Sequence, residues 1–372
     1  MAKAKKKLLP KDFDALLKTG DIAALKAVFE ECDVNARGGY SKQTALAFSE
    51  FPDELVQWLV SNGADISAPD TYGETPLHSR ARHWQGRIEV LLDLGADVHA
   101  GENGRGTPLH SAASSYNAKT ARLLIEHGAR VDALNRENQT PLALALQRCR
   151  NSDIERMAEV AELLVGDGLQ QGEAKKGFLA SIFGKGNKAK THQTPELKSY
   201  ITRIGTEFEF HRRNFNPECI DATDAALVKL YTLFDVSPVP PRAMHDGKSP
   251  IVAQAKHWED RHQELWEMLV PSQGAADTVQ GEVVRIPGKI RDELDGNGGG
   301  NWDADFKRMA DAFLILVGTG VPLPKVELNE ASSLVTEIKA RRGDTRRMCE
   351  LGVNWVALNP KPAKLPTPDY RR

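Results

Sequence analysis

Cysteine is scarce: Cys32, Cys149, Cys219 and Cys349 are the only four in 372 residues, and no two share a C-x-x-C or metal-ligand spacing. That excludes a disulfide scaffold and a zinc knuckle, and it fits free thiols in a reducing compartment. Long apolar runs are missing as well. No stretch approaches the roughly 18 consecutive apolar residues of a membrane-spanning helix, and the N-terminal lysines precede no secretion-signal core. Nor does one sign of charge dominate. A net charge of −2 is too small for a chain that is basic throughout, as a nucleic-acid binder would be, or acidic throughout. Nucleophile-elbow, Cys–His, paired-carboxylate and phosphate-loop signatures are all absent. The expectation is a cytoplasmic protein with no catalytic residue, no cofactor, no metal ligand, no specific nucleic-acid partner and no evident small-molecule substrate.

What is present is periodicity. Thr75-Pro76-Leu77-His78 returns 32 residues on as Thr107-Pro108-Leu109-His110, Thr140-Pro141-Leu142 follows 33 residues later, and Thr44-Ala45-Leu46 precedes by 31. A second element keeps step: Leu59 to Asp65, Leu91 to Asp97 and Leu124 to Arg130, each with Gly-Ala at the same place. Two motifs locked at one period define a repeat array rather than a single globular core. Thr75 and Thr107 are placed to cap helices whose first position is Pro, where a missing N–H costs nothing. Gly63, Gly95 and Gly128 stand where a left-handed residue ends a helix. Leu77, Ala81, Leu91 and Leu92 then face neighbouring repeats, because no single repeat buries its apolar face alone.

This pattern closely resembles the ankyrin repeat over about residues 12–168, in its T-P-L-H signature and its period. The resemblance implies an N-terminal pair of capping helices, about four repeats, and His78 and His110 tying backbone between repeats. It also implies recognition of another protein through hairpin finger tips and a concave face of inner helices. Residue by residue, the tips match Tyr40 and Lys42, then Asp70, Tyr72 and Glu74, then Glu102, Asn103 and Arg105, then Asn135, Arg136 and Asn138. The inner-helix faces match Arg80, His83 and Trp84, then Ser114 and Tyr116. Trp84 and Tyr116 are either binding anchors or packing against the next repeat.

The remaining chain reads as flanks and a second unit, so the fold class is mainly α: a repeat solenoid followed by an irregular helical domain. Residues 1–11 form a basic tail expected to be unstructured. Residues 169–195 have the Gly/Lys composition of a linker. The short run Phe178–Phe183 inside it reads either as a helix docking on a neighbouring domain or as a weak membrane-surface contact. Residues 196–345 carry helical apolar spacing, with a long helix expected from Ser249-Pro250. Residues 346–372 read as a Pro/Lys-rich tail.

Within 196–345, His257 and His262 are five apart, a poor chelating spacing, and read as solvated. The loop Asp295–Asp303 has Phe306 where a calcium loop needs its bidentate Glu, and reads as a helix connection with Asn301 or Asp303 as N-cap. Glu282 and Arg285 read as a salt-bridge row. The function expected is a protein–protein interaction module. Two alternatives remain: an enzyme whose site lies in the helical domain, pairing Glu282 with His257 or His262, and an immunity-type inhibitor of a toxin.

Overall fold

The structure, a computed structural model, describes residues 4–179 and 194–371. It is mainly α, with sixteen α-helices and one small sheet among the described residues. The chain divides into two compact units: Met1–Glu207 with Pro217–Val239, and Phe208–Asn216 with Pro240–Arg372. No helix among the described residues is long and apolar enough to cross a membrane.

Unit 1 opens with β1 (Lys6–Leu8), α1 (Phe13–Thr19), α2 (Ile22–Glu31), β2 (Cys32–Gly38) and β3 (Gln43–Thr44). β1 lies parallel to β2, and β3 antiparallel to it. The described part of the basic tail is therefore ordered, contrary to the sequence expectation. An exposed strand edge recruits any chain able to pair with it. Here Leu9 is buried, its N–H donates to Arg37 O at 3.0 Å, and Lys5 Nζ donates to Phe29 O at 2.8 Å. Behind the sheet, Phe13 packs edge-on against Phe48, centroids 5.4 Å apart, and beside Phe29 and Phe51. These rings form the N-terminal cap of the array.

The repeats follow in order. The first has only a 3-10 turn, Ala45–Ala47, before α3 (Asp53–Ser61). Then come α4 (Pro76–Arg82) with α5 (Glu89–Asp93), α6 (Pro108–Ser114) with α7 (Ala118–Glu126), and α8 (Pro141–Arg148) with α9 (Ile154–Leu179). The T-P-L-H histidines join adjacent repeats. His78 Nδ1 accepts from Thr75 N–H at 3.1 Å and its Nε2 donates to Gly106 O at 3.0 Å; His110 does the same between Thr107 N–H (2.9 Å) and Gln139 O (3.0 Å). An amide only donates and a carbonyl only accepts, so both rings must be neutral with the proton on Nε2.

Burial accordingly pushes both imidazoles below their usual range. A base whose folded pKa lies below its unfolded value contributes its full stability above that unfolded value, near 6.5, and loses it as pH falls. The unfolding free energy of unit 1 is expected to drop by about 1.4 kcal/mol per histidine for each pH unit below about 6.5, until the folded pKa is reached. Urea unfolding at a series of pH values, with a His78→Gln/His110→Gln variant beside the parent, measures this. An equal slope in the variant would place the titration elsewhere.

The array continues past its last repeat. α10 (Pro195–His211) and α11 (Pro217–Phe234) follow, and α11 packs along α9, where Thr223 Oγ1 donates to Glu155 Oε1 at 3.1 Å. Arg203 of α10 donates to Leu146 O (2.9 Å) and Gln147 O (3.1 Å), satisfying carbonyls that the end of α8 leaves open. The expected boundary at residue 196 thus falls inside the array's C-terminal cap. α9 also runs through Leu179 into the expected linker, since a helical glycine costs only about 1 kcal/mol. The part of the Phe178–Phe183 run from residue 180 on lies outside the described residues.

Unit 2 is built around α13. Its helices are α12 (Trp258–Leu269), α13 (Val279–Arg291) continuing into a π-helical turn Asp292–Gly296, α14 (Ala304–Val317), α15 (Lys325–Lys339) and α16 (Thr345–Leu358). Every residue of α13 from Val279 to Gly288 is buried. The helix expected from Ser249 does not form, and α12 begins only at Trp258. Ile251 N–H instead donates to Pro360 O at 2.7 Å. Its partner strap, residues 359–370, is the segment expected to be unstructured. Four prolines (Pro360, Pro362, Pro366 and Pro368) hold that segment extended, and several of its other groups pair with the body. Val279 N–H donates to Ala363 O at 2.8 Å, Leu365 N–H to Asp277 O at 3.1 Å, and the Tyr370 ring is buried.

Candidate partner-binding groove

Four hairpin fingers project beside the inner helices of unit 1. In the second, Asp70 Oδ1 accepts from Tyr72 N–H (2.7 Å) and Glu74 N–H (3.0 Å). Asn135 repeats this in the fourth with Glu137 and Gln139, both at 2.9 Å. Such Asx turns shape a loop from within. Lys42, Gly73 and Asn138 occupy the same left-handed position in their fingers, at φ 52°, 81° and 57°. The third finger differs and places positive φ at Gly101, Asn103 and Gly106.

Fingers and inner helices enclose two depressions. One, of about 520 Å3, is lined by Tyr40, Asp70, Tyr72, Glu74 and His83 of the expected residues, with Asp14, Glu50 and Arg82 besides. The other, of about 460 Å3, is lined by Glu74, Arg105, Ser114, Asn135 and Arg136, with Arg82 and Arg148 besides. They share Glu74 and Arg82, whose 2.5 Å ion pair is the saddle between them. Tyr40 is 94% exposed and Tyr72 40%. The Tyr72 hydroxyl is bonded to Tyr40, which raises it above the usual phenol range, and the Arg105 guanidinium lies 4.8 Å from the Tyr72 ring centre.

The other expected residues lie elsewhere. Lys42, Asn103 and Asn138 are exposed at the tips without lining either depression, and Glu102 is ion-paired to Arg130 at 3.1 Å. Trp84 is 73% exposed in the turn after α4. Tyr116 is half-buried, with the Arg156 guanidinium of the next repeat 5.8 Å from its ring centre.

Two expectations are corrected. Asn135 is 5% exposed and committed to its own turn, so it shapes the finger. Arg80 is wholly buried and cannot face a partner. It donates from Nε to Leu46 O (2.8 Å), from Nη2 to Phe51 O (3.1 Å) and from Nη1 to Arg87 O (2.9 Å). The first repeat's inner helix is a single 3-10 turn, and Arg80 replaces the hydrogen bonds a longer helix would have supplied. Arg82 and Arg148 also line the groove, and for Arg82 the sequence holds a signal. Arg82 stands seven residues after Thr75, as Ser114 does after Thr107, whereas Arg80 at five matches Ala112 and Ala145.

Unit 2 does not assemble the expected pair of Glu282 with a histidine, although a depression of about 560 Å3 beside α12 and the end of α13 gathers His262, Arg291, Asp292 and Asp295. Glu282 pairs with neither histidine: it is buried, receives Arg285 Nη2 at 2.6 Å and Nε at 2.9 Å, and accepts from Tyr370 Oη at 2.6 Å. The expected Glu282–Arg285 salt bridge forms, and it lies in the interior. His257 is exposed at the start of α12, but His262 is partly buried beside Trp266, and desolvation lowers its pKa. In the glycine-rich loop, Asp303 caps α14 and the carboxylate of Glu293 accepts from Asn297 Nδ2 (3.0 Å) and Asn301 Nδ2 (3.2 Å). The loop is organised by a protein carboxylate. Among the described residues no three His, Cys, Asp or Glu side chains gather as a metal would require. Burial pushes the thiols of Cys149 and Cys349 up to about 12, so neither is a thiolate at neutral pH.

Comparison with known families agrees with the repeat geometry. One family model, described as ankyrin repeats (many copies), matches residues 44–94, and another, ankyrin repeats (3 copies), matches residues 85–172. No family model matches the C-terminal part. No curated protein matches the chain. Residues 44–172 are thus ankyrin repeats.

Proposed function

We propose that this protein is an interaction module whose first unit binds a partner protein along the groove between fingers and inner helices. Ankyrin repeats in general are protein–protein interaction modules. The observation that carries the reading here is the state of the lining residues. Tyr40, Tyr72, Arg105 and Arg148 are exposed in the groove, while the side chains that hold the array together, His78, Arg80 and His110, are buried out of reach. Tyrosines are stiff and amphipathic, so they bury area at little entropic cost. The free thiols accord with a reducing, cytoplasmic setting.

Affinity capture with the full chain identifies a partner, and groove variants then test the assignment. Tyr40→Ala/Tyr72→Ala is expected to weaken binding by on the order of 1–3 kcal/mol at an unchanged melting temperature. Trp84→Ala, which alters an exposed side chain away from the groove, is expected to bind normally. Parent-like affinity in the tyrosine variant would move the functional surface off the groove.

A further inference from the structure

The groove is electrically ordered along its length. At the end nearer the N-terminal cap, Asp14 and Glu50 line the depression with no ion-pair partner among the described residues, beside the Tyr40–Tyr72 pair. Beyond the Glu74–Arg82 saddle the sign reverses. Arg105, Arg136 and Arg148 line the second depression, offset by Glu74, which is paired to Arg82, and by Glu137, which lies 3.5 Å from Arg136. Arg148 has no carboxylate partner among the described residues. Arg105 is held in place by its stacking on Tyr72, and a pre-positioned guanidinium binds a carboxylate with less entropy lost.

An elongated concavity with one acidic and one basic end selects against most chains. A partner segment of uniform charge is repelled by one half or the other, and like-charge juxtaposition costs more than a missing contact. A folded convex surface would need opposite charges on a single ridge, whereas an extended segment offers them simply by sequence order.

We propose that the groove takes an extended peptide segment of ordered charge. Its basic residues lie by Asp14, Glu50 and the tyrosines, and its carboxylates lie by Arg105, Arg136 and Arg148. This rests on the partner-binding reading and adds to it the chemistry of the bound segment. The exposed Tyr40 ring also favours Lys or Arg at the first end, because a cation over a tyrosine face is attracted by the ring.

Panning a random peptide display library on the full chain tests it. Enriched peptides are expected to carry a basic cluster and an acidic cluster, separated along the sequence, and to lose affinity as salt rises. Asp14→Lys/Glu50→Lys is expected to erase the basic preference alone, and Arg105→Glu/Arg148→Glu the acidic preference alone. Each is expected to weaken an enriched peptide about tenfold, and reversing the corresponding charges of the peptide to restore binding. All four positions are exposed, so folding is retained. Uniformly acidic peptides, as arginines binding any polyanion would select, overturn the proposal. So do apolar peptides indifferent to both variants, or no enrichment at all. If a captured partner protein still needs Tyr40 and Tyr72 in any of those outcomes, the groove remains the binding surface and only the charge order falls.

Discussion

Replacing Arg80 by alanine is expected to destabilise unit 1 by on the order of 3–5 kcal/mol, the range seen when one member of a buried charged network is removed. Three backbone carbonyls depend on this guanidinium, two of them, Leu46 O and Phe51 O, in the repeat before its own. Burial pushes its pKa down to about 10 against the pull of Asp53, 3.8 Å away, so it is still a cation at neutral pH and its site must keep it satisfied. Alanine would leave those carbonyls dry and unpaired, each at a cost of about 1–3 kcal/mol, in addition to an unfilled volume. Lysine keeps the charge but has one nitrogen where the fork has three, so Arg80→Lys is expected to recover little. Because a solenoid is held by nearest-neighbour interfaces, the damage should concentrate in the N-terminal cap and first repeat. Urea unfolding followed by circular dichroism gives the magnitude, and amide exchange at Phe51 and neighbouring residues gives the location. A loss below about 1 kcal/mol would mean that water serves those carbonyls as well as the arginine does.

Glu282→Ala is expected to cost unit 2 a similar amount, about 3–5 kcal/mol. The carboxylate accepts from Arg285, from Tyr370 Oη and, at 2.9 Å, from Ala276 N–H, all in the interior. Removing it takes the anion from a guanidinium that is 1% exposed and releases the strap at Tyr370. Burial first, and Glu282 second, push the Tyr370 phenol well above its usual range, so the hydroxyl stays protonated and remains a donor at every physiological pH. Tyr370→Phe, which deletes only that hydrogen bond, is expected to cost about 1–2 kcal/mol. The apolar double variant Glu282→Met/Arg285→Met is expected to regain most of the loss, because a buried pair is replaced with less penalty than it is split. Two units need not unfold together, and tryptophan fluorescence separates them. Trp258, Trp266, Trp302 and Trp355 lie in unit 2, against Trp58 and Trp84 in unit 1. If Glu282→Ala and the double variant unfold alike, the ion pair has no part in holding α13.

The array was legible because its information is local and repeated. Thr107, Pro108 and His110 each have a counterpart at a fixed distance, and the physical role of each follows from its place at a helix start. Arg80 was misread because its repeat position, not its polarity, decides its direction. Alanine at the equivalent Ala112 and Ala145 marks that position as interior. That residues 195–207 and 217–234 fall in the first unit and not the second was illegible for another reason. Amphipathic spacing shows that a helix has an apolar face, but nothing in Leu227 or Leu230 says which neighbour covers it. Pro-rich composition misled at the strap, since proline removes donors without preventing burial. The groove's tyrosines were found from finger positions. Its polarity was not, because Asp14 and Arg148 stand more than a hundred residues apart in sequence and line the same surface only after the repeats stack.

The strap also sets an order of events during synthesis. In unit 1 the joints between repeats span short intervals, 28 residues from His78 to Gly106 and 29 from His110 to Gln139. Each repeat can therefore dock on its predecessor while the chain is still growing at about 5–20 residues per second. Unit 2 has no such course open to it. Glu282 waits 88 residues for Tyr370, and Gln280 waits 79 for the carbonyl of Asn359. Until residue 370 has left the ribosome, α13 lacks one side of its enclosure and its two interior charges lack a lid. The first unit should be competent to meet a partner while the second is still a client for chaperones.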